Sequence, residues 1–286
     1  MKRTAFSLMT VLLAVMNESE PGDPYYVLAQ YLLYHFDQLR ELNIYDVAEA
    51  CYVSRSGIRR FCQSIGFDNF SDIKAEAEEW QRHCNYFIGY SARPHYKDYL
   101  SQSITAMMEE INRLTTPAVL DKLVQRIHDS RHVVLFTSDF SGMAARGFQQ
   151  SMVVMGKLVL IVTDARYIPG YLQDLTPQDL LITISATGNF AIMMEPLIQK
   201  TAAYKALVTV NHDRRFWAVY HQVIYLSEKD NANARTVYSQ YGTNYFFDIL
   251  YSRYVQRYLD DARTQGPYAE PVLSESTKNR LQKRLE

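Results

Sequence analysis

Residues 180–190, Leu-Leu-Ile-Thr-Ile-Ser-Ala-Thr-Gly-Asn-Phe, decide the fold class of the second half of the chain. The first five side chains are apolar or β-branched without polar alternation, which is typical of a strand buried on both faces. Similar runs, separated by helical or loop segments, lie at 132–136, 158–162, 206–210 and 222–226. This alternation predicts a five-stranded parallel sheet covered by helices on both faces, an α/β sandwich closed by a helix over 241–259.

The first 82 residues follow a helical pattern only. Apolar residues at helical spacing, followed by a charged segment, predict helices within 28–36, 44–51, 54–65 and 72–82. Asn43 and Ser54 are predicted to cap the second and third of these helices, and Gly66 is predicted to end the third. We therefore expect an all-α N-terminal domain in front of the α/β sandwich.

A loosely patterned segment separates the two predicted domains. Residues 83–97 combine Tyr, Gly, Ser, Arg and Pro and are predicted to form a linker. Two helices follow it, over 99–114 and from Pro117, before the first strand. The predicted bounds are an N-terminal domain at 1–82, a C-terminal domain at 98–265 and a polar tail at 266–286.

The composition is that of a folded globular protein. Of the 286 residues, 48% are hydrophobic and 21% are charged, which excludes a disordered or fibrous chain. The 30 Lys and Arg residues nearly balance the 31 Asp and Glu residues, so the net charge of −1 excludes a globally basic nucleic-acid coat but not a local basic patch. The three cysteines form no C-x-x-C pair, which suits the reducing cytoplasm, where we expect the protein to act.

The N-terminus has some features of a secretory signal peptide. Lys2-Arg3 precede an apolar run that extends to Val15, but no small-x-small cleavage pattern follows it. We therefore predict a buried first helix. No other apolar stretch approaches the ~18–20 residues of a membrane-spanning helix, so we expect a soluble protein without a membrane partner.

A basic stretch lies within the predicted helical domain. Residues 43–66 comprise a short helix, a turn and a second, basic helix, the arrangement of a helix-turn-helix whose second helix enters the major groove of DNA. The predicted DNA-binding residues lie on or near one face of that helix: Ser54, Arg55, Ser56, Arg59 and Arg60. The alternative is an ordinary solvated surface, since residues 1–90 hold 8 basic and 12 acidic residues, although no acid falls between Glu49 and Asp68.

Two loops that follow predicted strands carry hydroxyl side chains and glycine. Parallel strands end at the same edge of a sheet, so these loops can converge, and hydroxyls beside a helix N-terminus form an anion site. The predicted ligand-binding residues are Ser141 in the first loop and, in the second, Ser185, Thr187, Gly188 and Asn189. The alternative is that the Ser, Thr and Asn side chains only cap the two helices.

With these motifs the chain resembles, from end to end, the RpiR-type (MurR/RpiR) bacterial transcription regulators. These proteins join an N-terminal helix-turn-helix to a C-terminal sugar isomerase (SIS) domain. The resemblance rests on Val53-Ser54-x-Ser56-x-Ile58-x-Arg60-Phe61, on Ser141-Gly142, and on Ser185–Phe190 where SIS domains carry S-x-S-G-x-T. It implies a regulator, not an enzyme, that binds duplex DNA and senses a phosphorylated sugar or similar small anion.

Two departures from the family pattern keep other functions open. The first loop has Thr137, Ser138 and Asp139 where glycine is usual, and Phe190 replaces the closing threonine of the second loop. One alternative is a regulator whose SIS domain is degenerate, ligandless and used for dimerisation. A phosphosugar isomerase is a further alternative, but it needs a general base, and Glu195, the acid nearest the second loop, has no evident partner.

Assembly and metal binding complete the expectations. We expect a homodimer or homotetramer on a palindromic operator, with the tyrosine-rich segment 241–254 in part of the interface.

The candidate metal ligands that the sequence groups together are Cys51, Cys62, His83 and Cys84, which superficially form a zinc set. Cys51 and Cys62 occupy apolar helix positions without paired ligand spacing, so we predict core cysteines, with no metal, cofactor or catalytic residue.

Overall fold

The structure is a computed structural model that describes residues 8–163, 169–230 and 237–265. The chain divides into two compact units between Gln102 and Ser103. None of the helices within the described ranges is both long enough and apolar enough to span a membrane. The predicted tail, 266–286, lies outside the described residues.

The N-terminal unit is built from helices around one hydrophobic core. Its helices are α1 (Leu8–Glu18), α2 (Pro24–Tyr34), α3 (Ile44–Ala50), α4 (Arg55–Ser64), α5 (Phe70–Ala75), α6 (Glu78–Ser91) and the start of α7 (Tyr96–Leu114), with a 3-10 turn at Phe36–Gln38. Leu8 and Leu12 of α1 are fully buried in this core, together with Phe36 and Phe61. The predicted buried first helix is thus confirmed for residues 8–18.

The segment predicted as a linker is largely helical. α6 continues to Ser91, so only residues 92–95 separate it from α7. Gly89 costs a helix only about 1 kcal/mol relative to alanine, whereas Pro94 disfavours helical backbone in the residue before it. The looser composition of residues 83–91 therefore does not end α6. The domain bounds at 82 and 98 remain a prediction beside the observed division at Gln102.

The charged helix predicted over 72–82 is two helices, α5 and α6. Between them, the N–H groups of Glu76 and Ala77 bond carbonyls three residues back, at 3.0 and 3.3 Å, instead of four. This tighter turn breaks the α-helical pattern. Sequence periodicity does not reveal it, because both residues are compatible with a continuous helix.

The C-terminal unit contains a five-stranded parallel sheet. The strands are β1 (Val133–Thr137), β2 (Val159–Val162), β3 (Leu180–Ile184), β4 (Tyr204–Thr209) and β5 (Gln222–Tyr225), in the order β2-β1-β3-β4-β5. The helices that follow α7 are α8 (Pro117–Asp129), α9 (Asp139–Val154), α10 (Pro169–Gln173), α11 (Asn189–Ile198), α12 (Phe216–Val219) and α13 (Thr243–Gln265). Every residue of β1 and β3 is buried. The predicted fold class, α/β with an all-α N-terminal domain, is confirmed.

The strand order reverses the winding of the chain between β1 and β3. From β1 the chain passes to β2 on one side, and then to β3 on the other side of β1. In open α/β sheets, ligands bind beyond the carboxyl ends of the strands where the winding reverses. The predicted anion-binding residues lie in the segments that follow β1 and β3, so the topology places both segments at this reversal.

The closing helix differs from its predicted bounds of 241–259. A π-helical turn, Tyr238–Gly242, precedes α13, which extends to Gln265. Tyr254, part of the predicted subunit interface, is buried inside the chain, and its ring centre lies 5.2 Å from that of Tyr258. Tyr254, at one end of the segment 241–254, therefore already packs within the unit.

A buried carboxylate joins the amino ends of β1 and β3. The Asp179 side chain is 3% exposed, and its Oδ1 accepts hydrogen bonds from the backbone N–H and Nδ1 of His132 at 3.1 and 2.8 Å. Its Oδ2 accepts from the N–H and hydroxyl of Thr176 at 2.7 and 2.8 Å. Burial opposes ionisation, but the hydrogen bonds from Thr176 and His132 outweigh it and hold the pKa of Asp179 below its usual value.

The replacement Asp179→Asn is expected to lower the free energy of unfolding by roughly 2–3 kcal/mol at pH 7, because the amide turns a donor toward existing donors. Since the folded-state pKa is depressed, the carboxylate stabilises the fold fully above the unfolded pKa of about 4 and loses this effect as pH falls through the folded pKa. Urea unfolding of wild type and Asp179→Asn should therefore show a difference in the free energy of unfolding that becomes smaller at acidic pH. Glu109→Gln, at an exposed position of α7, is the control, and equal midpoints for wild type and Asp179→Asn at pH 7 would contradict this role.

Candidate functional sites

The segment from α3 to α4 has the geometry of the predicted helix-turn-helix. Asn43 Oδ1 accepts the N–H of Tyr45 at 3.0 Å, and Ser54 Oγ accepts the N–H of Gly57 at 3.1 Å, so both predicted N-caps are confirmed. Gly66, with φ of 90°, follows the end of α4 as predicted. Side-chain caps satisfy the first N–H groups of a helix and thereby fix where it begins.

One face of α4 is apolar and the other is basic. Ile58, Phe61 and Cys62 are buried in the core. The opposite, exposed face carries predicted DNA-binding residues, namely Arg55, Ser56, Arg59 and Arg60. Neither Arg59 nor Arg60 forms an ion pair with a residue that the structure describes. Their guanidinium groups are thus not neutralised there and suit a phosphate or a guanine edge.

Arg55 and Ser54 already have partners within the unit. Arg55 Nη1 donates to the hydroxyl of Tyr45 at 3.0 Å, and its guanidinium carbon lies 4.9 Å from the centre of that ring. Ser54 Oγ lies 2.9 Å from Ser56 Oγ in addition to capping α4. Tyr45 therefore orients Arg55 at the N-terminus of α4. Sequence reasoning missed Tyr45, because this pair joins two different helices.

Tyr52 occupies the turn between α3 and α4 in a left-handed conformation. Its φ is 54°, and the residue is 96% exposed. For an L-residue, whose Cβ atom comes too close to a carbonyl oxygen, the left-handed backbone conformation costs roughly 1–2 kcal/mol. A bulky residue there is an outlier that merits explanation. Sequence periodicity gives no signal for it, because only the backbone reveals the strain.

The cysteines of this segment belong to the hydrophobic core, as predicted. Cys51 and Cys62 are buried, and burial raises the pKa of the Cys62 thiol to about 12. A protonated thiol is a poor metal ligand. The side chain of His83 lies outside the described residues. Among the described side chains, no group of three or more His, Cys, Asp or Glu residues is placed to hold a metal ion.

The loop after β1 is shorter than predicted. α9 begins at Asp139, so the backbone of Ser141 and Gly142 lies in the first turn of a helix instead of a loop. A Cβ atom on Gly142 would lie 3.5 Å from the Thr163 side chain, which follows β2. The side chains of Asp139 and Ser141 lie outside the described residues, so their contribution to a ligand site remains a prediction.

The turn after β3 brings the other predicted ligand-binding residues together. Ser185 is 4% exposed, and its Oγ accepts the N–H of Ala191 in α11 at 3.2 Å. The N–H of Asn189 lies 3.5 Å from Thr187 Oγ1, and the N–H of Gly188 donates to the Ser185 carbonyl at 2.9 Å. Helix capping is therefore one role of this turn. Each hydroxyl that accepts a bond retains its own proton to donate.

Asn211, which sequence reasoning missed, holds this turn from the neighbouring strand. Its Nδ2 donates to the Thr187 carbonyl at 2.9 Å, and its Oδ1 accepts the N–H of Asp213 at 2.8 Å. Gly188 has φ of 81°, and a Cβ atom there would lie 2.5 Å from Asn211 Nδ2. Asn211 follows β4 as Ser185 follows β3, so its position at the same sheet edge was the available signal.

Beyond Asn211, the charged side chains of Asp213 and Arg215 neutralise each other. Arg215 Nη2 donates to Asp213 Oδ2 at 2.6 Å, and this hydrogen bond keeps the pKa of the Asp213 carboxyl below its usual value. Arg214 is exposed. The donors that the described residues of the turn offer to an anion are therefore mainly neutral hydroxyls, together with the N-terminus of α11.

Phe190 and Glu195 take part in packing and surface contacts. Phe190 is buried, with its ring centre 4.8 Å from that of Phe136. It therefore fills space beneath the turn and offers a ligand no hydrogen bond. Glu195 Oε1 accepts the Gln199 side-chain amide at 2.8 Å in a contact along α11. An acid–base pair for isomerisation is not formed by these residues.

Comparison with known proteins agrees with this geometry. Residues 16–81 match the family described as the helix-turn-helix domain of the rpiR family. The chain carries an rpiR-family helix-turn-helix domain. The resemblance to RpiR-type regulators expected from the sequence is thereby confirmed, and the match includes all of α3, the turn and α4.

Two HTH-type transcriptional regulators are similar to the chain in sequence. One, from Providencia stuartii, is 27% identical over 170 residues, which cover 57% of this chain and 60% of that protein, less than two thirds of its length. The other, YfhH of Escherichia coli K12, is 22% identical over 258 residues, which cover 86% of this chain and 92% of YfhH. The similarity to YfhH therefore includes most of both compact units.

A solved structure supports the fold of the chain. The Vibrio vulnificus NanR protein, complexed with ManNAc-6P, aligns with a TM-score of 0.52 and 16% identity over 90% of this chain and 96% of NanR. At this identity the comparison establishes the fold alone. The rpiR-family domain is thus followed by a parallel α/β unit, and the chain shares its fold with NanR.

The turn after β3 should tolerate no side chain at Gly188. Gly188→Ala is expected to lower the free energy of unfolding by roughly 2 kcal/mol or more, because φ is positive and Asn211 occupies the space of the new Cβ atom. Gly147→Ala, in α9 with nothing within 4 Å of a Cβ atom, should instead stabilise the protein by about 0.5–1 kcal/mol. Thermal unfolding of the two variants tests this contrast, and equal midpoints would contradict it.

Proposed function

We propose that the SIS-type unit of this DNA-binding transcriptional regulator senses a phosphorylated sugar, or a similarly compact anion, and so alters the affinity of the protein for its operator. The observation that carries the proposal is the position of the Ser185–Gly188 turn. It lies at the carboxyl edge of the sheet, beside the loop after β1, where the winding reverses. Such reversals are the usual ligand sites of open α/β sheets.

The ligand is proposed to bind between the N-termini of α9 and α11. Ser141, Ser185 and Thr187 would donate hydroxyl bonds to a phosphate, and Asn189 would donate a backbone N–H. Gly188 would shape the turn and not donate, since its N–H is bonded to Ser185. NanR, which shares the fold, is described in complex with the sugar phosphate ManNAc-6P, and this supports the chosen ligand class.

DNA is proposed to bind along the exposed face of α4. Arg55, Arg59 and Arg60 would contact phosphates or guanine edges, while Ser54 and Ser56 would contact the backbone at the start of the helix. A two-fold assembly would match a palindromic operator, so a homodimer or homotetramer in the cytoplasm is part of the proposal.

Two alternative functions, a ligandless dimerisation unit and a phosphosugar isomerase, predict different experimental results. A ligandless SIS-type unit used only for dimerisation is favoured by one observation: Phe190 is buried at the position of a family threonine. A phosphosugar isomerase would require a general base at the turn, and Glu195 instead bonds Gln199. We infer that the protein is not an enzyme.

DNA binding should depend on the basic face of α4. Arg59→Ala is expected to weaken binding of an operator duplex by roughly 1–3 kcal/mol if Arg59 contacts a base, or to weaken all duplexes alike if it contacts phosphate. Titration of labelled duplex, selected from a random library with the wild-type chain, measures both cases.

A matched control removes the same charge elsewhere in the N-terminal unit. Arg40 is exposed and pairs with Glu78 at 3.4 Å. Arg40→Ala should leave the affinity for DNA nearly unchanged, because Arg40 lies outside α3 and α4 and its charge is already paired with Glu78. Loss of this exposed ion pair should also change stability little. Equal affinities of wild type and Arg59→Ala would refute the assignment of α4.

Ligand binding should depend on the hydroxyls of the turn. The double replacement Ser185→Ala, Thr187→Ala removes two donors to a charged group, each worth about 1.5–3 kcal/mol, so affinity for a sugar phosphate should fall at least tenfold. Calorimetry with a panel of sugar phosphates that includes ManNAc-6P measures this. Thr187→Ala alone separates binding from the cap that Ser185 provides to α11.

Ser151→Ala is the control, because this hydroxyl bonds the Gly147 carbonyl within α9, far along the helix from its N-terminus. It should leave ligand affinity unchanged. If the wild-type chain binds no sugar phosphate, the ligandless alternative replaces this proposal, and turnover of a sugar phosphate would favour the isomerase. A ligand effect on operator affinity would establish the coupling of the two functions.

A further inference from the structure

Tyr52 is the exception among three helix ends that share one hydrogen-bonding motif. α3, α4 and α9 each end with a residue of positive φ whose N–H bonds the carbonyl three residues back, while the next N–H bonds five residues back. At α4 and α9 that residue is Gly66, with φ of 90°, and Gly156, with φ of 71°. At α3 it is Tyr52, with φ of 54°.

Folding alone does not explain a tyrosine at this position. The residue is 96% exposed, so its ring buries almost no apolar surface that would offset the strained backbone. Its hydroxyl bonds no residue that the structure describes. Strained residues persist where function requires them, so an observed outlier justifies a search for a partner outside the unit.

The position of Tyr52 identifies the class of partner. It lies two residues before Ser54, the cap of α4, at the end of that helix where Arg55 is held by Tyr45. In a helix-turn-helix the N-terminal part of the second helix enters the major groove. The phosphate backbones border that groove, and tyrosine hydroxyls are among the groups that bond phosphate oxygens.

Resting on the proposed DNA-binding function, we propose that Tyr52 donates a hydrogen bond from its hydroxyl to a DNA phosphate beside the groove that α4 enters. Tyr45 then acts as a positioning residue for Arg55, and Tyr52 extends the DNA contact beyond α4 into the turn. Because phosphate contacts carry no sequence information, removal of this bond should weaken all duplexes alike.

The test uses the full chain and a duplex selected by the wild-type protein from a random library. Tyr52→Phe keeps the ring and the backbone strain but lacks the donor. It is expected to bind both the selected duplex and a scrambled one about tenfold more weakly, with unchanged Tm. Tyr52→Gly should lose the same affinity while its Tm rises by about 2–8 °C, since glycine relieves the strain.

His95→Gly is the matched control. His95 is exposed with φ of 55° and lies outside α3 and α4, so the replacement relieves the same kind of strain without removing a proposed contact. It should leave the affinity for DNA unchanged. A loss of affinity in His95→Gly as large as in Tyr52→Gly would overturn the proposal, because strain relief and not the hydroxyl would then explain the loss.

Other results would distinguish failure of the Tyr52 contact from failure of the proposed DNA-binding function. If Arg59→Ala weakens binding but Tyr52→Phe binds with wild-type affinity, the phosphate contact is overturned and DNA binding stands. If the wild-type chain enriches no duplex, the proposed function fails and the contact fails with it. A Tm of Tyr52→Gly that does not rise would overturn the argument from backbone strain.

Discussion

The parallel pairing of β1 with β3 is the constraint on which the C-terminal unit depends. Val133–Thr137 pair in register with Leu180–Ile184, and every one of these residues is buried. The same ladder of hydrogen bonds therefore fixes how the two strands are aligned at both their amino and their carboxyl ends. At the amino edge it aligns His132 with the carboxylate of Asp179, and at the carboxyl edge it sets the turn that begins at Ser185 beside the loop after β1. A change in this register would displace the stabilising carboxylate and the proposed ligand site together.

Helix caps and proposed ligand contacts use the same atoms in both units. Ser185 Oγ accepts the N–H of Ala191, and Ser54 Oγ accepts the N–H of Gly57, while each hydroxyl proton remains a possible donor. A cap holds its hydroxyl in one place, which reduces the entropy lost when a phosphate binds. Replacement of such a residue affects folding and binding at once, so neighbouring positions such as Thr187 distinguish the two effects more clearly.

The two units hold their key turns in opposite ways. At Gly188 the left-handed backbone is formed by glycine, and Asn211 closes over it so tightly that no Cβ atom fits. At Tyr52 the left-handed backbone carries a large exposed side chain, which forms no hydrogen bond with a residue that the structure describes. The first turn, at Gly188, depends on close packing within the protein. The second has a conformational cost that packing against the described residues does not offset, and this cost is the physical argument for the proposed contact with DNA.

The sequence by itself determined the fold class, the five strands and the helix-turn-helix, because unalternating apolar runs and capping residues act over a few neighbouring positions. It also identified the basic face of α4 and the turn at Ser185. Only the tertiary structure decided the continuation of α6 through residues 83–91, the π-helical turn before α13, and the burial of Tyr254. It alone revealed Tyr45 against Arg55, Asn211 against Gly188 and the strain at Tyr52. These features depend on contacts between distant segments or on backbone angles, and neither quantity is encoded in local periodicity.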